Sequence, residues 1–495
     1  MSQQSLKDKT IKGTMWSAAD AFLGQGVTFL VGIVLARLLS PEEYGLIGIC
    51  LIFTTVLNGI VDSGFSNALI RKKYVTDVDY NTMFITNMSI SILLYVLLYL
   101  SAPFVAFFFA RPQLTDLVRV VGLVLFPNAL SLIQNTILTK RIDFKTKTKA
   151  SFVSALISGI IGVIMALYGF GVWSLVVQLL LNQLMMTVFL WGMNKWYPSF
   201  SFSFFSFRYM WGFGWKLMLS GLINNIWSQL YQVVIGKCYT TSTLGHYTRA
   251  QQYSGLPSSG ITKIIQRVSY PVLSELQYDQ SKMVEGYRKV IKITMFITSF
   301  CMIILAAISE PLLNCMIGTK WHEAATYMPF ICISMSFYPL HAINLNMLQV
   351  LGRSDVFLYL EIIKKIVGTI SLIVGIYIGI YFMLLCSIIA GFISLYLNSW
   401  YTSKSLGYGL KQQLIDISYS YLLSLIIASL IYLYKYMPCS NYVILFAQII
   451  SATIIFIVIN EKKRPYEYIE LKKILKQEYI ILKNKIKKYE DSTYI

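Results

Sequence analysis

About fourteen apolar stretches, each roughly 18 residues or longer and so able to cross a bilayer as a helix, dominate this chain. They cover residues 14–38, 44–70, 81–110, 117–138, 150–168, 172–193, 209–236, 247–270, 290–308, 325–351, 357–378, 382–400, 419–436 and 442–459. Within hydrocarbon every backbone N–H and C=O has to be satisfied inside its own segment, which leaves helices as the way to build such runs. The chain is therefore expected to be an all-α polytopic membrane protein with about 14 transmembrane helices. With 56% hydrophobic and 13% charged residues, a soluble reading would need a core larger than one domain builds.

The polar and apolar order also repeats. Ala36-Arg37-Leu38-Leu39-Ser40-Pro41-Glu42-Glu43-Tyr44-Gly45 returns as Gly236-Lys237-Cys238-Tyr239-Thr240-Thr241-Ser242-Thr243-Leu244-Gly245, between hydrophobic stretches both times. Asn135, Arg141 and Asp143 return as Asn346, Arg353 and Asp355. The repeat predicts two six-helix lobes plus two extra C-terminal helices. The expected divisions are an N-lobe at 1–197, a cytoplasmic interfacial linker at 198–208, a C-lobe at 209–403, the last two spans at 404–460, and a basic amphipathic cytoplasmic tail at 461–495. Duplicated bundles in one membrane imply rocking around a substrate site shared by the two halves.

Charge sets the orientation. Arg71, Lys72, Lys73, Lys140, Arg141, Lys145, Lys147, Lys149, Lys195, Arg208, Lys282, Arg288, Lys289, Arg353, Lys404 and Lys411 fall on alternate loops, whereas the opposite set offers little beyond Arg37, Arg111, Lys237, Lys320 and Lys435. Both termini are accordingly expected in the cytoplasm. Lys7, Lys9 and Lys12 precede the first stretch without an evident small-residue cleavage site, so that helix is expected to be retained. The net charge of +19 is thus mostly topology rather than a sign of nucleic-acid binding. In the tail, Tyr468, Leu471, Leu475, Tyr479, Leu482, Ile486 and Tyr489 make one helical stripe with lysines interleaved, as on a helix lying on an anionic membrane surface.

Several chemistries find no support in the residue pattern. The seven cysteines are scattered and the three histidines stand far apart, so no metal and no cofactor is expected. A glycosyltransferase or polymerase would need paired carboxylates or an acidic metal motif at a membrane face. Glu42 and Glu43 are the nearest candidates, but their repeat partners, Ser242 and Thr243, carry no acid. The chain is not expected to be an enzyme.

Polar residues cluster on particular helical faces. Ser17, Asp20, Gly24, Gln25 and Thr28 share a face of the first span, and Lys216, Ser220, Gly221, Asn224, Asn225, Ser228 and Gln232 share one of the seventh. Thr55, Asn58, Asp62 and Ser66 continue the pattern in the second span; Arg249, Gln252, Ser259, Lys263 and Gln266 do so in the eighth, with Arg267 close by. Such stripes are costly in lipid and predict a common polar cavity with an excess of cations. Pro257 is expected to loosen the eighth span. Glu361, Lys364 and Lys365 are spaced for a local helix ion pair.

Four stretches carry a family resemblance: Leu39-Ser40-Pro41-Glu42-Glu43-Tyr44-Gly45, Gly64-Phe65-Ser66-Asn67-Ala68-Leu69-Ile70, Gly169-Phe170-Gly171-Val172-Trp173-Ser174-Leu175 and Gly318-Thr319-Lys320-Trp321-His322-Glu323-Ala324-Ala325. In these, and in their order to about residue 459, the chain resembles the Wzx-type flippases, in particular the colanic and teichuronic acid exporter-like branch of the multidrug/oligosaccharidyl-lipid/polysaccharide superfamily. The resemblance implies alternating access and an undecaprenyl-diphosphate-linked oligosaccharide as substrate, with a polysaccharide polymerase and other assembly proteins as possible partners. On that basis Lys216, Lys263 and Arg267 would receive the diphosphate from the cytoplasmic side, Arg249 would engage cargo nearer release, and Asn224, Asn225, Ser228, Gln252 and Gln25 would line the glycan path. Asp20 and Asp62 would couple proton or sodium movement, or gate the cavity by pairing with Lys216 or Lys263. A multidrug extruder or a peptidoglycan-precursor flippase of the same superfamily remains open on fold alone.

Overall fold

The apolar stretches are helical wherever the computed structural model describes them, over residues 23–62, 64–276, 278–351, 353–473 and 476, apart from the breaks given below. The described helices of the first half are α1 (Leu23–Leu38), α2 (Pro41–Asp62), α3 (Phe65–Arg71), α4 (Asp77–Phe108), α5 (Leu114–Gly122), α6 (Leu125–Arg141), α7 (Phe144–Leu167) and α8 (Val172–Asn194). They continue with α9 (Phe204–Cys238), α10 (Thr241–Glu275), α11 (Gln280–Ala307), α12 (Ser309–Ile317), α13 (His322–Ser336) and α14 (Tyr338–Val350). The last four are α15 (Ser354–Tyr377), α16 (Ile380–Leu406), α17 (Leu410–Tyr432) and α18 (Asn441–Lys463). No strand occurs among the described residues, so the protein is an all-α polytopic membrane protein.

Ten described helical stretches are long and apolar enough to cross a membrane. α9 and α10 are not among them, although each runs for 35 residues, a length of about 50 Å against a hydrocarbon core of about 30 Å. Their polarity sets them apart, in the positions where the sequence places its two longest polar stripes.

Three stretches read as single spans are broken helices. The second breaks between α2 and α3 at Gly64, whose φ of +69° suits glycine, and a Cβ there would lie 2.6 Å from the Gly214 carbonyl oxygen of α9. The fourth and tenth break at Leu123–Val124 and at Phe337. Pro257, by contrast, does not interrupt α10, which is helical on both sides of it.

Packing divides the chain into two compact units, 1–248 and 249–495, the division falling after the first turns of α10. In the first unit α7 pairs with α8, α6 with α8, and α9 lies against α2, α3 and α4. Phe65, Ala68, Leu69, Met83, Ile133 and Met210 form one buried cluster there. Polar groups also hold it together: Asn128 donates to Asn58 at 2.6 Å and accepts from Gln183 at 3.3 Å, and Gln183 also donates to Ser131 at 3.2 Å. Side-chain bonds of this kind between membrane helices are worth about 0.6 kcal/mol each, up to about 1.7.

The segment before α9 alternates serine and phenylalanine. Asn81 at the start of α4 donates to Ser199 Oγ at 2.7 Å and to Ser201 Oγ at 3.1 Å, and accepts from the Ser199 N–H at 2.9 Å. Thr82 accepts from the Ser203 N–H at 3.0 Å. Ser201 and Ser203 are half-buried and Ser199 is exposed but tied to Asn81, while Phe200, Phe202, Phe204 and Phe205 are exposed. Phe200 has a φ of +52° and Phe204 and Phe205 open α9, so the run is not one extended strand; its exposed aromatics suit the depth where membrane meets water.

In the second unit α11 packs on α13 and α17, and α15 on α16. Its core includes Tyr287, Met295, Ile343, Met347 and Ile417, all buried. Near one end of α17, the buried Asp416 carboxylate accepts from Arg288 at 2.5 and 2.7 Å and from the Tyr408 hydroxyl at 2.9 Å, with Lys292 at 3.6 Å. The Lys364–Glu361 pair forms as the spacing predicts.

Beyond α18, residues 466–473 are helical. Their acids face α11: Glu470 lies 3.3 Å from Lys289, and the buried Glu467 lies 3.3 Å from Lys292. Hydrogen bonds from Lys473 and Lys289 hold the Glu470 carboxyl below its ordinary range. The start of the tail is thus tied to protein as well as lined with lysines. The rest of its expected stripe, from Leu475 on, lies outside the described residues.

Candidate functional site

On α9, side chains at successive four-residue steps drift slowly around the helix, so Lys216, Ser220, Asn224 and Ser228 form one continuous stripe. Trp215 and Ile226 fall away from this stripe, while Leu219 and Ile223 adjoin Lys216 one and two turns on. Lys216, Asn224 and Ser228 are exposed and Asn225 is half-buried. Asn225 sits against α2, where a Cβ at Gly59 would lie 2.6 Å from its Nδ2. The Ser228 hydroxyl donates back to the Asn225 carbonyl at 2.8 Å. Lys216 Nζ lies 6.0 Å from the centroid of the neighbouring Trp215 ring and has no acidic partner among the described residues.

On α10 the small residues decide which face is free. Ala250, Ser254, Ser258, Thr262 and Ser269 are buried and recur on one side. Ser258 donates to the Met335 carbonyl at 2.7 Å, Ser254 accepts from Cys332 at 3.4 Å, and Asn346 lies 3.4 Å from Ser269. This side is held by α13 and α14, which turns Gln252, Leu256, Ser259, Lys263 and Gln266 the other way. Lys263 is exposed, with no ion-pair partner among the described residues. Arg249 and Gln252 are half-buried; Arg249 bonds Tyr253 one turn on, and the Gln252 Oε1 is buried with no donor among the described residues.

The α1 and α2 residues divide. Gln25 and Thr28 are exposed, with the Thr28 hydroxyl donating to the Gly24 carbonyl at 3.0 Å. Asn58, expected on the cavity stripe, is half-buried and spends its side-chain oxygen on Asn128 inside the bundle. Asp62 is half-buried at the α2 terminus, accepting from Ser66 at 2.5 Å across the break at Gly64. Asp20 and the Arg267 side chain lie outside the described residues. No group of three His, Cys, Asp or Glu is placed to hold a metal among the described residues.

Sequence reasoning missed the partners that make these faces possible. Asn128 and Gln183 sit in apolar stretches with nothing local to mark them as cross-helix ties. Gly45 and Gly245, matched in the repeat, meet across the first unit: a Cβ on Gly45 would lie 1.8 Å from the Thr241 carbonyl oxygen, and one on Gly245 would lie 1.8 Å from that of Pro41. The repeat itself was the available signal, since both copies end on glycine.

Each unit thus presents an exposed face carrying hydroxyls and amides with a lysine, Lys216 on α9 and Lys263 on α10.

Comparison with known proteins gives this surface a context. The model of a family described as "Polysaccharide biosynthesis protein" matches residues 34–326. The succinoglycan biosynthesis transport protein ExoT of Rhizobium meliloti (strain 1021) is 24% identical over 354 residues, 72% of this chain and 72% of that protein. The teichuronic acid biosynthesis protein TuaB of Bacillus subtilis (strain 168) is 24% identical over 358 residues, covering 72% and 74%. Among solved structures, the lipid II flippase MurJ in an inward closed conformation superposes with a TM-score of 0.72 at 17% identity, over 91% of this chain and all of that one, which is a likeness of fold.

Proposed function

Since the chain belongs to this family of polysaccharide biosynthesis proteins, we propose that it is a flippase that moves undecaprenyl-diphosphate-linked oligosaccharide repeat units across a bacterial cytoplasmic membrane by alternating access. Its product would feed exopolysaccharide, capsule or O-antigen synthesis. The observation that carries the reading is the pair of exposed lysines, Lys216 and Lys263, on the polar faces of α9 and α10, two 35-residue helices less apolar than the ten described spans. Ionisable groups at membrane depth are expensive unless they serve a pathway.

The sign of the charge chooses the substrate. At about 4 Å and an effective dielectric constant near 20, each ammonium–phosphate charge pair is worth about 4 kcal/mol before desolvation. A cationic drug at the same position would be repelled by a similar amount, which disfavours the extruder reading. Asn224, Ser228, Gln252 and Gln25 offer the amides and hydroxyls that sugar hydroxyls require. Arg249, with Arg267, would complete the cationic set. The names of the relatives, a succinoglycan transport protein and a teichuronic acid biosynthesis protein, point the same way.

The distribution of basic loop residues supports an orientation with both termini in the cytoplasm. Asp62, at a helix break, and Asp20 are the carboxylates available to bind a coupling proton or sodium ion. No bond is made or broken in this reading, and a polymerase would act on the delivered repeat units. The test is deletion of the gene: lipid-linked oligosaccharide should accumulate on the cytoplasmic side and be cleared by the wild-type copy. Unchanged lipid-linked pools with unchanged surface glycan would refute it.

A further inference from the structure

A second concave surface lies in the first unit, where the α1–α2, α4–α5 and α7–α8 turns meet. The cavity is about 530 Å³ and is lined by Glu42, Glu43, Gln113, Asp116, Phe170 and Trp173 among others, a volume within the range of small-ligand sites. We infer that it is a glycan-binding subsite that takes neutral sugar residues of the cargo at the mouth opposite the cytoplasmic side. The inference rests on the flippase reading for the identity of its ligand.

The walls are built. Glu43 Oε2 accepts from the Ser40 N–H at 2.6 Å and from the Ser40 hydroxyl at 2.9 Å, which locks the carboxylate to the start of α2. The Gly169-Phe170-Gly171 turn lies directly on that carboxylate: a Cβ on Gly171, where φ is +55°, would stand 2.4 Å from Glu43 Oε1. Only glycine allows the approach, and it fixes the aromatic pair beside the acids. Glu42 accepts from the Thr241 hydroxyl at 3.2 Å and lies 3.6 Å from Arg111. The Asp116 and Gln113 side chains line the cavity with no protein partner among the described residues. Phe170 and Trp173 are 55% and 37% exposed.

This combination suits a sugar. The C–H face of a pyranose packs on an aromatic ring, and its hydroxyls donate to carboxylates in charge-assisted bonds about twice as strong as neutral ones. Glu42 is offset by Arg111 and Glu43 already accepts two hydrogen bonds, so the site is polar and hydrogen-bond-hungry more than it is a cation trap. Its remaining negative charge would turn away the diphosphate, which the lysines of α9 and α10 attract. Head and glycan of one cargo would therefore be read at different places.

The experiment titrates purified full-length protein in nanodiscs with oligosaccharides released by mild acid from the lipid-linked pool of the parent cells, with pyrophosphate and tetraphenylphosphonium as comparison probes. Wild type should bind the released glycan saturably, and Asp116→Asn and Trp173→Ala should each weaken it tenfold or more; Trp173→Phe should restore most of the affinity if packing is the role. Absence of glycan binding, equal binding by Asp116→Asn, or preference for tetraphenylphosphonium or pyrophosphate over glycan would overturn the inference. Lipid-linked oligosaccharide that builds up on gene deletion without glycan binding here would leave the flippase reading standing and this site refuted. Binding here without build-up would do the reverse.

Discussion

Replacing Gly45 by alanine should destabilise the first unit sharply, although alanine is the better helix former. The added Cβ would lie 1.8 Å from the Thr241 carbonyl oxygen, 2.6 Å from its carbon and 3.1 Å from its Cα. All three are backbone atoms, so no side chain can swing aside, and α2 must draw back from the start of α10 by more than about 1 Å. Overpacking of this kind costs about 1–3 kcal/mol, and a backbone-only clash belongs at the upper end; the gain in helix propensity offsets about 1 kcal/mol at most. The same movement stretches the 3.2 Å bond between Thr241 and Glu42. A net loss of about 2 kcal/mol lowers the melting temperature of a unit this size by about 4–8 °C. The assay is thermal unfolding of purified protein in nanodiscs. Gly245→Ala, whose Cβ would stand 1.8 Å from the Pro41 carbonyl oxygen, should cost a similar amount, and the double variant less than the sum, because both act on one contact. Gly48→Ala is the control, since its Cβ would meet Thr248 Cγ2 at an ordinary 3.5 Å. If Gly45→Ala melted with Gly48→Ala and wild type, the close approach of the two repeat copies would be refuted.

Asp416→Ala should lower the melting temperature of the second unit by about 4–8 °C, corresponding to about 2 kcal/mol rather than the full cost of a buried pair, because Arg288 is half-exposed and can return to water; no shift would show that the bidentate pair is absent. Asn81→Ala removes three hydrogen bonds to Ser199 and Ser201, and hydrogen exchange across residues 198–203 should rise at least tenfold while α4 stays protected, whereas unchanged protection would deny the clamp. Docking of the 466–473 helix should depend on pH: the Glu470 value is depressed in the folded protein, so its contribution is present above the ordinary carboxylate pKa and is lost as pH falls through the folded value. Spin-label distances between that helix and α11 should broaden between about pH 7 and about pH 3, and Glu470→Gln should broaden them already at about pH 7; distances insensitive to both would contradict the tie.

The helices were legible because apolar length and period are properties of a single segment. From residue 23 on, the expected stretches fall on described helices, and one side of α10 carries the buried small residues Ala250, Ser254, Ser258 and Thr262. What a segment cannot show is which polar group will find a partner on another helix. Asn58 and Ser259 look alike in their stripes, yet Asn58 is claimed by Asn128, whereas Ser259 donates to the Leu256 carbonyl of its own helix. The break after α2 was equally hidden: Gly64 reads as one more small residue until Gly214 of α9 is brought against it. Serine and phenylalanine alternation before α9 was visible as a period of two, but nothing local shows that Asn81 ties Ser199 and Ser201. The acidic turn at Glu42 and Glu43 has no acidic repeat partner to mark it, and it becomes a wall of a cavity only when the Gly169–Gly171 turn, more than a hundred residues away, folds onto it.

The central claim is that the lysine-bearing faces of α9 and α10 carry a lipid-linked diphosphate through the membrane. Its most direct test is transport in proteoliposomes loaded in the outer leaflet with fluorescent undecaprenyl-diphosphate-oligosaccharide, read by protection from a membrane-impermeant quencher. Wild type should protect about half of the label within minutes, while Lys216→Ala/Lys263→Ala, folded and reconstituted to the same level, should slow protection at least tenfold. Equal rates for the two proteins would contradict the account.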